Sequence, residues 1–91
     1  MYRIVYTHGY IRRAAKFIRE HPELERKYEK VLELLELNPS HPSLRLHKLK
    51  GRLKELSAVS INPSYRILLY FLIRDNVIYP VDIGKHDDVY R

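Results

Sequence analysis

Nine residues, Leu46-His47-Lys48-Leu49-Lys50-Gly51-Arg52-Leu53-Lys54, carry four cations at every second position beside a histidine. Alternate residues of a strand point to one face, so Lys48, Lys50, Arg52 and Lys54 are expected to form a basic ribbon, with Leu49 and Leu53 opposite. Such a ribbon can follow a phosphate backbone, each contact displacing a counterion. The pattern also reads as a solvated face beside a core-facing leucine row. Arg66 opens an apolar run and is expected to share a face with Leu68 and Tyr70. Its guanidinium must there reach an anion or pair with a carboxylate such as Asp82. His86 follows Gly84-Lys85. A histidine at the end of a strand titrates near neutrality, as general acid or base work requires, although a lone histidine is also an ordinary polar surface group.

Read together, these groups fit one reaction. Cleavage of RNA through its own ribose 2′-hydroxyl needs a base to take the proton. It also needs cations to hold the charge of the pentavalent phosphate, and an acid for the leaving 5′-oxygen. His47, His86, Arg66 and the 48–54 ribbon would suffice, without metal or thiol. The sequence has no Gly-rich phosphate loop and no nucleophile elbow, and its histidines, at 8, 21, 41, 47 and 86, never fall at i, i+4 on a predicted helix. Neither a metal nor a cofactor is expected. Cysteine is absent, which removes disulfides and thiolate chemistry.

The elements that must position these residues can be read from periodicity. A chain of 91 residues supports one domain, 1–91. Tyr2 to Thr7 reads as a strand ending at His8-Gly9. Ile11, Ala14, Ala15 and Ile18 then mark the apolar face of a helix, with Arg12, Arg13, Lys16 and Arg19 opposite. Pro22 suits the first turn of a second helix, whose stripe is Leu24, Tyr28, Val31, Leu32 and Leu35 and which ends at Asn38-Pro39. Leu56 to Ile61 and Tyr65 to Ile73 form a hairpin around Asn62-Pro63-Ser64, and Val77 to Ile83 is a further strand. Arg45 to Leu49 is a candidate short strand. Ile67 to Ile73 lacks alternation, as a central strand covered on both faces would, and Pro80 calls for an edge or a bulge. Lys85 to Arg91 reads as a tail or a helical turn. The expected fold class is α+β, with a two-helix antiparallel hairpin packed on a mostly antiparallel four-stranded sheet.

Net charge is +6, and it is segregated. Between Ser40 and Arg66 six cations face one anion, whereas Glu23 to Leu37 is net acidic. A polyanionic partner is implied. No apolar run approaches the roughly 18 residues of a membrane span, so no membrane partner and a cytoplasmic location are expected.

With these residues in view, the sequence resembles toxins of the RelE/ParE superfamily, most of all the YafQ-like messenger-RNA endonucleases. The resemblance rests on "HKLKG" at 47–51, "INPSYRILLY" at 61–70 and "IGKHDDVY" at 83–90, and on nearly the whole element order. It implies a ribosome-dependent ribonuclease acting on messenger RNA and neutralised by a cognate antitoxin protein. By that resemblance His86 and His47 are the catalytic histidines and Arg66 holds the scissile phosphate. Tyr90 stacks on or orients a nucleotide, while Lys50, Arg52 and Lys54 lie near phosphate; Lys48 and Lys85 are expected as further substrate-binding residues. YafQ-like members carry a second histidine and an aspartate around the hairpin where this chain has Ser60 and Ser64, which do not transfer protons at neutral pH. ParE-like relatives share the fold but poison DNA gyrase, so the alternatives are a non-enzymatic gyrase inhibitor or a catalytically weakened member that only binds antitoxin.

Overall fold

The computed structural model describes residues 1–85, so His86 and Tyr90 and the rest of the expected tail lie outside the described residues. The hydroxyl of Thr7 accepts the Tyr10 N–H at 3.2 Å and caps helix α1, His8–Glu20. That cap starts the helix at His8, where the strand was expected to end. It leaves β1 as Arg3–Ile4, shorter than the strand the composition suggested. The buried stripe of α1 is Tyr10, Ala14 and Phe17, while Ile11 is 50% exposed and Ala15 is exposed as well. This corrects the stripe read from the aliphatic residues. Two aromatic rings, each with some 150–250 Å² to bury, outweigh an isoleucine and an alanine in setting the helix's rotation.

Pro22 opens a 3₁₀ turn, Pro22–Leu24, that leads into helix α2, Glu25–Leu37. Leu24, Tyr28, Val31 and Leu35 are buried as expected, and Asn38 caps the end. The two helices meet where the Tyr10 and Tyr28 hydroxyls bond at 2.8 Å within the core. Burial pushes both phenols above their ordinary value. A raised folded-state value means that the native protein holds these protons more tightly than the unfolded chain. Stability is therefore undiminished below about pH 10 and falls as pH rises beyond it. Tyr10→Phe is expected to lower stability by about 1–3 kcal/mol at neutral pH, because it strands the Tyr28 hydroxyl, and to flatten the alkaline decline. Thermal melts across the pH range check both effects.

The sheet has five strands in the order β1-β5-β4-β3-β2, with β2 at His47–Lys48, β3 at Ser57–Ser60, β4 at Tyr65–Leu72 and β5 at Val77–Lys85. The fifth strand, beyond the expected four, is β2, two residues within the candidate stretch Arg45 to Leu49. β1 runs parallel to β5 and the other pairings are antiparallel. Pro80 meets both of its expected conditions. The β4–β5 register shifts between Leu68 and Leu69, and β1 reaches only Val77 and Ile78, which leaves the later part of β5 at an edge.

Both helices pack on one face of the sheet, over Val59, Ile67, Leu69 and Ile78. The outer face has a small core of its own, Ala58 and Leu68, covered by Leu49, Leu56 and Val81. β4 is thus buried on both sides, which explains its unbroken apolar run. Among the described residues no helix is long and apolar enough to cross a membrane.

Candidate functional site

Cross-strand pairing fixes which candidate residues share a face. His47 pairs with Ala58, and Ala58 with Leu68. Ser60 pairs with Arg66, and Arg66 with Gly84. Directly opposed residues lie on the same side of an antiparallel sheet, and so do residues two apart along a strand. His47 and Arg66 therefore both belong to the outer face, their Cα atoms roughly 12 Å apart by strand geometry. Tyr70, two residues beyond Leu68, extends this line along β4.

His47 is exposed, and its Nδ1 lies 2.9 Å from the carbonyl oxygen of Arg45. A carbonyl only accepts, so Nδ1 carries the proton and Nε2 is the basic nitrogen of the neutral ring. Arg45 offers its carbonyl from a left-handed turn, φ 50°, that ends the 3₁₀ segment Pro42–Leu44.

Arg66 is half-buried and holds the β3–β4 turn. Its Nη1 donates to the Ser60 hydroxyl at 3.1 Å, the Asn62 carbonyl at 2.7 Å and the Tyr65 carbonyl at 3.3 Å. Ser60 in turn donates to the Asn62 carbonyl at 2.9 Å, and the Asn62 side chain accepts the N–H groups of Ser64 and Tyr65. The partner expected from the sequence, Asp82, is engaged elsewhere. Its Oδ1 accepts the Ile83 N–H at 2.8 Å and lies 3.7 Å from Arg13 Nε, while Arg13 also donates to the Val81 carbonyl. The register shift beside Leu68 accounts for this, since it makes Val81 an extra residue next to Asp82 and brings this part of β5 to α1.

The basic ribbon is corrected as well. Strand alternation stops after Lys48. Gly51 sits at φ 67°, where a side chain would be strained, and a 3₁₀ turn, Gly51–Leu53, follows. Lys48, Lys50, Arg52 and Lys54 are all exposed, but on a turning loop and not in one row. Leu49 and Leu56 hold that loop against the outer face. Lys85 pairs with Tyr65, whose ring packs on Phe17 and His21, so Lys85 borders the helix-side groove with Arg13 and Lys16 and lies apart from His47 and Arg66.

One feature of this region was not read from the sequence. β4 continues past the end of β3, and the notch left beside Tyr70 and Phe71 is closed by Tyr2, the 37–40 turn and Leu46 to Lys48. The mismatch between a six-residue and a nine-residue predicted strand was its only trace.

Neither a family model nor a curated protein matches the chain. Solved structures do. YafQ from E. coli superposes with a TM-score of 0.79 at 15% identity, covering 100% of both chains. The fold is that of the YafQ-like toxins. The E. coli DinJ-YafQ toxin-antitoxin complex matches with a TM-score of 0.77 at 17% identity over 99% of this chain and 98% of that one. A YoeB/ParE toxin from Agrobacterium tumefaciens gives 0.75 at 13% identity, with coverage of 92% and 98%. At these identities the likeness is one of architecture, and it agrees with the fold implied by the sequence resemblance.

Proposed function

We propose that this chain is the toxin of a toxin–antitoxin pair and that it cleaves messenger RNA on the ribosome, working in the cytoplasm. The observation that carries the proposal is the placing of His47 and Arg66 on one outer sheet face, beside exposed Lys50, Arg52 and Lys54. Nε2 of His47 takes the 2′-hydroxyl proton, and the oxygen attacks the adjacent phosphorus. Arg66 and the loop cations stabilise the charge that builds on the phosphoryl oxygens. His86 supplies the proton for the leaving 5′-oxygen and Tyr90 positions a base, roles assigned by the sequence resemblance. The antitoxin is an acidic or amphipathic protein covering this basic face, a partner suggested by the DinJ-YafQ complex.

A second reading, a non-enzymatic toxin that blocks DNA gyrase, draws on the turn. The Ser60 hydroxyl and Arg66 Nη1 are both engaged in holding the hairpin. One pair of assays separates the two. Purified protein added to a translation reaction is expected to shorten the messenger and to leave gyrase supercoiling unaffected. Intact messenger with inhibited supercoiling would establish the second reading in place of the first.

A further inference from the structure

The groove on the helix side of the sheet runs along a stretch of β5 that no further strand covers among the described residues. The direction of its backbone groups follows from the register. Tyr65 gives its carbonyl to the Ile61 N–H at 2.9 Å, on the β3 side, so Tyr65 and, two residues on, Ile67 turn their polar groups away from β5. Their partners Lys85 and Ile83 then turn theirs away from β4, toward the open edge. Two bonds mark that edge: the Val81 carbonyl accepts from Arg13 at 2.8 Å, and the Asp82 carboxylate accepts the Ile83 N–H at 2.8 Å. Charged side chains shield many sheet edges in this way. Beyond them the Ile83 carbonyl and the Lys85 N–H continue the row that an added strand would pair with.

The groove, about 440 Å³ in volume, suits one kind of strand. Its floor holds three rings in mutual contact, with Phe17 and Tyr65 centroids 5.2 Å apart and His21 4.8 Å from the first and 4.7 Å from the second. Its far wall is α1, which carries Arg12, Arg13, Lys16 and Arg19 against Glu20 alone. Lys85 adds a cation from β5, while the Asp82 carboxylate is committed to Ile83 and Arg13.

We infer that an extended acidic segment of the antitoxin joins the sheet here, as a further strand beside β5. One apolar side chain of that segment rests on the three rings, and acidic ones meet Arg13 and Lys16. Asp82 gives up the Ile83 N–H when the strand pairs. The inference rests on the toxin reading and deepens it, adding a contact on the side of the sheet opposite His47 and Arg66. A protein strand fits this edge better than RNA does, because amide and carbonyl groups recur along it at the two-residue repeat of a strand, and a nucleic acid brings no matching row.

Amide chemical-shift titrations of the whole protein test this with the synthetic hexapeptide Asp-Thr-Asp-Thr-Leu-Thr, whose alternate side chains are two acids and one apolar group. The peptide is expected to shift the amides of Phe17, His21, Ile83 and Gly84. A version N-methylated at every residue keeps the side chains but cannot pair as a strand, and it should bind about tenfold more weakly. The exposed substitution Lys16→Glu, which does not disturb the core, should weaken the unmodified peptide about threefold. Equal binding of the N-methylated version would reduce the groove to a charge contact and overturn the inference. So would an absence of shifts at these amides, or shifts there from oligouridylate but not from the peptide. No step of the titration requires cleavage. A wild type that cleaves messenger but shows no groove shifts refutes the docking edge alone. A protein that binds the peptide yet neither cleaves messenger nor inhibits supercoiling refutes the toxin reading, and the assignment of the segment to an antitoxin falls with it.

Discussion

His47→Ala is expected to lower the rate of messenger cleavage about 10²- to 10⁴-fold, the usual contribution of a positioned general base. Its effect on folding should be slight, because the side chain is exposed. The bond from Nδ1–H to the Arg45 carbonyl makes the prediction sharper. It selects the tautomer with a basic Nε2, so His47→Gln, which cannot accept a proton at neutral pH, should be as impaired as alanine. Single-turnover cleavage beside a thermal melt checks both substitutions. A His47→Gln protein that cleaves at the wild-type rate would remove His47 from the chemistry.

The second large effect concerns Arg66, which has two separable duties. Three bonds from Nη1 hold the β3–β4 turn, so Arg66→Ala should destabilise the protein by about 1–3 kcal/mol, or a drop in Tm of about 4–8 °C for each kcal/mol. If the same guanidinium also faces the phosphate, cleavage should fall a further 10²- to 10³-fold when measured well below the new melting temperature. Ser60→Ala removes one acceptor and leaves the guanidinium in place. It should reproduce part of the stability loss and little of the rate loss. Arg66→Ala protein that melts early yet cleaves normally at low temperature would confine Arg66 to the turn.

The sequence made the layers of this fold legible because each depends on a strong local signal. Pro22 and Asn38-Pro39 bracket α2, the Asn62-Pro63-Ser64 turn makes the hairpin, and the unbroken run after Arg66 marks a strand covered on both sides. The errors have the opposite character, arising where a distant partner decides. The rotation of α1 depends on what lies beneath Tyr10 and Phe17. The partner of Asp82 depends on a register shift at Leu68 that no local pattern announces. The basic stretch misled because its alternation is genuine in the sequence, while Gly51 at φ 67° breaks the strand that would have expressed it. The neighbourhood of His47 and Arg66 was legible only as two residues able to act together. That they occupy one face follows from pairings across three strands, and the notch follows from two strands being unequal in length.

The parallel pairing of β1 with β5 also governs the order in which the molecule can be assembled. Arg3 and Ile4 wait for Val77 and Ile78, more than seventy residues later in synthesis, whereas the helical hairpin and the β3–β4 hairpin need only near neighbours. As the chain emerges, those local units can form first. Until β5 arrives, the apolar side of β4 and the N-terminal segment remain uncovered. The sheet closes in one late step, so a nascent chain stopped before residue 77 lacks the platform that holds Arg66 between its two neighbouring strands. The fold itself thereby delays any activity of this face until synthesis has passed β5.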